Sequence, residues 1–312
     1  MPQTRREYLR AGSAAVGTGA LLGLSGCLDA VPFVGGGASY RQWMHEPGEM
    51  REDGDDYFFT MQKPSQLANN QDSFDGDYYD DNIESDYTPV DVDFEDVTRE
   101  ISFSNVSVLV GSFDTSDVAD ALEDEDNGEY EEDSTYNGWT LYLQADGSSL
   151  TDGYALKDGG FLGSPTVVNA SGTAEVDADE ALELVADTKS GSGSRYVNAE
   201  DDANLLTNRL GDATYVYGSL SEETDTDDPE NGQFENSTGF GLRQQVNGGT
   251  TNVKYLVLYD SQGDVDTGDL EDWVDANEDD GDTFDDIDDV SVNQNGRVGV
   301  VSGSLPTDDI GQ

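Results

Sequence analysis

Asp114-Thr-Ser-Asp-Val-Ala-Asp-Ala-Leu122 and Asp266-Thr-Gly-Asp-Leu-Glu-Asp-Trp-Val274 align at a constant offset of 152 residues. The pairs Asp114/Asp266, Thr115/Thr267, Asp117/Asp269 and Asp120/Asp272 are identical, and the apolar stripe Val118, Ala121, Leu122 recurs as Leu270, Trp273, Val274. Apolar residues at i, i+3 and i+4 behind an Asp predict a short helix with a carboxylate N-cap, and a second acid in the first turn suits the positive helix end. Each copy follows an apolar strand and precedes at least two more. Asp-rich chains repeat Asp-rich strings by chance, but chance does not carry the apolar register with them. The sequence therefore predicts an α+β fold: antiparallel or mixed sheets with short helices on one face, and a divergent duplication of a strand-helix-strand-strand unit.

Working outward, ordered structure is expected to begin at the apolar run Tyr57–Met61, followed by Pro64 at a helix N1 position. Residues 70–97 are rich in Asp and Tyr and read as a long loop. Val106, Val108 and Val110 form a strand with one buried face, and Trp139–Leu143 and Tyr154–Leu156 read as the next strands. Asp177 heads a helix carrying Ala181, Leu184, Val185 and Thr188, and Asn198 heads another that stops at Gly211. Thr214–Tyr217 returns to strand. Past a polar loop at 221–237, Phe240, Leu242 and Val246 lead into a turn at Asn247-Gly-Gly249, and Thr251–Tyr259 runs back from it. The chain closes with a hairpin pairing 289–294 with 297–305.

The chain has 312 residues, 35% of them hydrophobic, with 68 acidic side chains against 14 basic ones and a formal net charge of −54. The acids are 46 Asp and 22 Glu; the lysines are four, at 63, 157, 189 and 254. Such a charge repels nucleic acid and anionic membrane surfaces. One Cys and one His exclude a disulfide framework, a thiolate zinc site and any poly-His metal centre. The acids are spread along the chain and interleaved with core-type residues, so they read as a folded surface. At molar salt the Debye length falls to about 3 Å, which screens the self-repulsion of such a surface. Adaptation to a hypersaline medium is the expectation.

At the N-terminus, Arg5 and Arg6 stand in Thr4-Arg-Arg-Glu-Tyr-Leu-Arg10, Ala11–Gly26 carries no charge, and Leu24-Ser-Gly-Cys27 follows. This arrangement resembles the twin-arginine (Tat) signal and lipobox of the exported lipoproteins of halophilic archaea. The resemblance implies that Arg5 and Arg6 are read by the Tat export machinery. It also implies that Cys27 carries membrane lipid at its sulfur, becomes the mature N-terminus, and holds the protein on the outer face of the cytoplasmic membrane. Two lipid chains give stable anchoring where one gives only marginal binding. The organisation expected is a signal peptide at 1–26, the lipidated Cys and a flexible tether at 27–56, and two α+β halves at 57–220 and 221–312. The leader holds three Arg and one Glu, so the remainder carries 11 basic and 67 acidic residues.

Candidate chemistry is thin. Asp275, Asn277 and Asp279 match positions 1, 3 and 5 of a calcium loop, but the glycine falls one place late at Gly281, and Asp286 stands where a bidentate Glu is needed. Calcium is thus the one cofactor worth weighing, against an ordinary solvated acidic loop. Asn105, Asn169 and Asn236 head N-glycosylation sequons, with Asn236 best placed in a polar loop. No catalytic residue can be singled out. His45 reads as a surface residue of the tether, and Cys27 is committed to lipid, so neither supplies a nucleophile-base pair. The function expected is structural or interaction-mediating at the cell surface. The alternatives are an extracellular ligand- or Ca2+-binding module and, further off, an acid-pair hydrolase.

Overall fold

A computed structural model of the chain describes residues 38–50, 56–124, 130–144, 152–173, 176–279 and 282–310. In chain order its strands and helices are β1 (Tyr57–Gln62), α1 (Pro64–Ala68), α2 (Gly76–Asn82), β2 (Val97–Phe103), β3 (Val106–Gly111), α3 (Thr115–Leu122), β4 (Tyr130–Tyr136) and β5 (Trp139–Gln144). These are followed by β6 (Asp152–Phe161), β7 (Ser164–Ser171), α4 (Ala178–Ser190), α5 (Tyr196–Ala199), α6 (Asp201–Leu210), β8 (Tyr215–Leu220), β9 (Ser237–Asn247), β10 (Thr250–Tyr259), α7 (Thr267–Asp275), β11 (Asp288–Asn295) and β12 (Val298–Pro306). All twelve strands join one sheet in the order β11-β12-β10-β9-β8-β1-β2-β3-β7-β6-β5-β4. Every neighbouring pair is antiparallel. The fold is α+β.

The two helices read from the repeat both form. Asp114 accepts the Ser116 N–H at 2.9 Å and Asp266 accepts the Gly268 N–H at 2.8 Å, each satisfying a donor of the first turn. The surrounding topology recurs with them. β1, the hairpin β2–β3, α3 and the hairpin β6–β7 correspond to β8, the hairpin β9–β10, α7 and the hairpin β11–β12. In each set the last strand returns to lie beside the strand before the helix. The sets meet where β1 pairs antiparallel with β8, with Phe59 opposite Gly218. Mirrored strand order, with both helices on one side, is what a two-fold axis normal to the sheet generates. The hairpin β4–β5 extends the first set, and α4–α6 connect the two. β8 is hydrogen-bonded to β1 on one side and to β9 on the other, so the halves share one sheet.

The helices cover both faces of this sheet, where the sequence predicted one. On the front, Ala181, Leu182 and Val185 of α4 and Leu206 and Leu210 of α6 pack on Phe59, Ile101, Val108, Val216 and Leu256. On the back, α7 packs Leu270, Trp273 and Val274 on Leu242, Tyr255 and Val301. There α3 sets Val118 and Leu122 among Leu109, Tyr154 and Val167, and α1 and α2 bury Leu67 and Tyr79 with Phe94 and Val246. The physical reason is visible in β3: Val106, Val108 and Val110 point to the front, while Leu109 between them is also buried and needs its own cover. A strand buried on both faces demands two helical layers.

The stretch 38–50 of the expected tether is packed into the core, while residues 27–37 and 51–55 lie outside the described residues. Tyr40, Trp43 and Met44 are fully buried between the sheet and α4–α6. Tyr40 stacks on Phe59 at 5.3 Å, and the Phe59 ring in turn lies over Gly218, where a Cβ would come within 2.1 Å of it. Trp43 meets Trp139 edge-on at 6.2 Å and Phe161 at 6.1 Å. The Met44 carbonyl accepts the Tyr196 N–H at 2.9 Å. The segment has no periodicity because it is built of two short 3-10 turns, Ser39–Gln42 and Pro47–Glu49. Residues 70–97, expected as a loop, hold α2, whose N-cap Asp75 accepts from the Tyr78 N–H.

The end strands β4 and β11 are both bulged, between Glu132 and Ser134 and between Asp288 and Ser291. Glu131, Glu132 and Asp133 on β4 are exposed, as are Asp288 and Asp289 on β11. Among the described residues no helix is long and apolar enough to cross a membrane.

Candidate functional site

On the front face α6 covers the sheet as far as Leu210. Gly241 of β9 lies directly beneath it, and a Cβ there would come within 2.9 Å of Leu210 Cδ2. The helix stops at Gly211, and the sheet beyond it changes character. Two residues further along, Arg243 of β9 lies directly opposite Lys254 of β10. Lys254 also faces Ser302 of β12, and Ser302 faces Ser291 of β11. In the next row Asn252 stands between Gln245 and Ser304. An open groove of about 330 Å³ results, lined by Arg243, Asn252, Lys254, Asp289, Ser302 and Ser304 among others.

Behind the groove lies Asp212, just past the end of α6. It takes Lys63 Nζ at 3.2 Å and Arg99 Nη2 at 3.6 Å. Burial lowers the Arg243 guanidinium from its ordinary value, opposed by the charge of Asp212. Burial lowers Lys63 as well, again with Asp212 opposing. Cations cluster here in a chain that has few.

The ten Lys and Arg among the described residues all belong to the front layer. Arg41 bonds Asn204 and Asn208 of α6; Arg297 pairs with Asp202 of the same helix; Arg209 donates to Asn295 at 2.9 Å. Lys189 lies over the Trp43 and Phe161 rings at 5.4 and 4.9 Å, and Lys157 over Trp139 at 5.3 Å. Arg195 donates to the Thr188 carbonyl at the end of α4. The back helices α1, α2, α3 and α7 contain no Lys or Arg at all.

The residues singled out from the sequence are not brought together. Asp275 ends α7. The Asn277 amide turns inward, donating to the Trp273 carbonyl at 2.8 Å and the Glu230 carbonyl at 2.9 Å. The Asp279 carbonyl accepts from the Asp282 N–H, and Gly281 lies outside the described residues. No group of three His, Cys, Asp or Glu that could hold a metal occurs among the described residues, Asp286 included. Asn105 Nδ2 donates to the Ser171 carbonyl. Asn169 Nδ2 donates to the Gly153 carbonyl at 3.2 Å, on the floor of a back-face pocket of about 120 Å³. Asn236 takes a left-handed φ of 60° just before β9. Cys27, Arg5 and Arg6 lie outside the described residues.

His45, expected at the surface, is 1% exposed. Its ring packs on Phe103 at 5.4 Å and Tyr57 at 5.9 Å, and neither ring nitrogen has a hydrogen-bond partner. Burial without a partner disfavours the imidazolium and pushes the pKa down to about 4 from 6.5. The unfolded chain therefore binds a proton between these values that the folded one does not. Stability is intact above pH 6.5 and falls as the pH drops toward 4, by about 2 kcal/mol at pH 5. Urea unfolding at pH 7 and pH 5, at one high salt concentration, should show this loss in the wild type. The loss should be smaller by that amount in His45→Leu. Equal pH dependence in the two proteins would place His45 in solvent.

Sequence reasoning missed Arg243 and Lys254, although the signal was present. A turn at Asn247-Gly-Gly249 fixes the hairpin register, and that register sets residue 243 opposite residue 254. No family model and no curated protein matches the sequence. Among solved structures the chain is similar to TP0453. Crystal form III of that protein gives a TM-score of 0.47 at 6% identity, covering 88% of this chain and 96% of that one. Crystal form I gives 0.44 at 8% identity, covering 85% and 94%.

Proposed function

We propose that this is a lipid-anchored surface protein of a halophile with an interaction-mediating, non-enzymatic role, exported by the Tat route and held to the outer face of the cytoplasmic membrane through Cys27. The observation that carries the anchoring is the order and spacing of Arg5-Arg6, the uncharged stretch 11–26 and Cys27. Ala38, the first of the described residues, is already buried. The ten residues between Cys27 and Ala38 reach at most about 35 Å even fully extended. On this reading the body is held close against the bilayer surface. The surplus of carboxylate offers anionic headgroups no attraction.

A non-enzymatic role is supported by the setting of the chain's one histidine, which is enclosed by aromatic rings and not poised against a hydroxyl. The front groove favours a role that includes ligand binding, since it gathers hydrogen-bonding side chains of four strands. Calcium remains the weaker alternative, because the loop lacks the glycine and the bidentate Glu at the positions such a site requires. Cys27→Ser tests the anchor: in the native host the variant should move from the membrane fraction to the medium. A variant that stays with the membrane at wild-type level refutes lipid attachment at Cys27. Replacing Arg5 and Arg6 together by Lys should leave unprocessed protein in the cytoplasm.

A further inference from the structure

We propose that the front groove is a binding site for a small oxyanion, held between Arg243 and Lys254 and completed by the Ser302 and Ser304 hydroxyls and the Asn252 amide. This deepens the interaction role above and rests on it only for biological context; the groove stands independently of the anchor.

The first support is the cross-strand pairing. Residues directly opposite in an antiparallel pair hold their Cβ atoms about 4.5–5.5 Å apart, and like charges there are destabilising. This chain has 68 acids and 14 bases, so a carboxylate is by far the commoner charged partner for any cation. The β9–β10 register nevertheless sets Arg243 against Lys254. An anion seated between them offsets that repulsion.

The second support is the state of Arg243. Its side chain is half-buried, and no hydrogen bond or ion pair meets its guanidinium among the described residues. The other front-layer arginines are engaged: Arg41 by Asn204 and Asn208, Arg195 by carbonyls of α4, Arg209 by Asn295, Arg297 by Asp202. The nearby Asp212 is already shared by Lys63 and Arg99. A planar guanidinium with free N–H groups at the wall of a polar groove matches the geometry of carboxylate, phosphate or sulfate.

The third support is the lining. Ser302 and Ser304 alternate on β12, on the face that presents Lys254 and Asn252 on the neighbouring strand. Hydroxyls and an amide donate to oxyanion oxygens without adding charge. The one carboxylate of the lining, Asp289, sits on the bulge of β11 with a φ of 55°. This mixture favours an oxygen anion over chloride, because the separate oxygens of an oxyanion reach donors spread along the groove that a single spherical ion cannot span. That distinction matters in molar chloride, where bare charge attraction is screened.

The test is calorimetric titration of the mature protein in molar sodium chloride, with inorganic phosphate, sulfate and succinate as separate probes. The expected result is saturable 1:1 heat for at least one of them. A tetrahedral preference shows as phosphate or sulfate ahead of succinate, and a carboxylate site as the reverse. Arg243→Gln should weaken binding about tenfold or more, the loss of one charged, bidentate contact. Lys254→Gln should weaken it by a similar factor and serves if Arg243→Gln does not fold by near-UV CD. Lys157→Gln, a front-layer cation on Trp139 and remote in the sheet order, should leave affinity unchanged. No saturable heat with any probe overturns the proposal, as does equal affinity in wild type, Arg243→Gln and Lys254→Gln. Neither outcome bears on Cys27, whose anchoring is read separately from membrane fractionation.

Discussion

Dialysed from molar salt into dilute buffer, the protein is expected to lose its near-UV circular dichroism and to regain it when salt is restored. The cause lies in the distribution of charge. With a net −54 over 312 residues, the mean repulsion between carboxylates is tolerable only when screened. The Debye length grows from about 3 Å at 1 M to about 10 Å at 0.1 M, beyond the spacing of neighbouring surface acids. The ten described cations offset this repulsion in the front layer and leave the back without relief. Around α7, partial burial and the charges of Asp266, Asp227 and Asp272 raise the Asp269 carboxyl from its ordinary value. The back layer should therefore loosen first. In a salt titration of the wild type followed by amide hydrogen exchange, α7 should lose protection at a higher salt concentration than α4 and α6. An unchanged near-UV spectrum in dilute buffer would show that packing outweighs the charge. Simultaneous loss of protection in α7, α4 and α6 would show that the layers unfold as one.

Trp43→Ala is expected to cost about 3–5 kcal/mol, the range for removing a large aromatic from a packed core. Trp43 has no exposed surface. It touches Trp139 on β5 and Phe161 on β6, and Lys189 of α4 lies over its ring. Its loss opens a void between sheet and helix and also removes a cation–π contact. Urea unfolding at constant high salt measures the change. A loss below 1 kcal/mol would mean that residues 38–50 cover the domain without being part of it. A full loss makes this segment structural, so any truncation that removes it should abolish folding.

The helices of the repeat were legible because a short amphipathic stripe behind an Asp cap is a local code. The hairpins at 247–250 and 295–297 were legible for the same reason, since glycine marks the turn and alternation marks the strands. The segment 38–50 was not, because a 3-10 turn leaves no period, and only the residue types Tyr40, Trp43, Met44 and Met50 hinted at burial. β4 was missed because Glu131, Glu132 and Asp133 look like loop residues, and an edge strand needs no apolar outer face. The second helical layer was missed, although Leu109, an apolar residue placed where a one-faced strand carries a polar one, called for it. The groove escaped notice because its parts come from four strands and converge only through register. His45 was misplaced because a lone polar residue beside Pro47 is ordinarily exposed, and nothing local announces that Tyr57 and Phe103 will enclose it.

The bulged, acidic end strands bear on how a twelve-stranded open sheet survives at high protein concentration. Each end offers a row of unpaired peptide groups to a neighbouring molecule, the template for edge-on aggregation. In dilute buffer the carboxylates of β4 and β11 would hold two such edges apart. In molar salt that repulsion reaches only about 3 Å, too short to act before the strands meet. The bulges at Glu132–Ser134 and Asp288–Ser291 are a matter of shape, and salt does not screen shape. They break the straight ladder a second sheet would need, so where brine silences the charges, solubility is left to geometry.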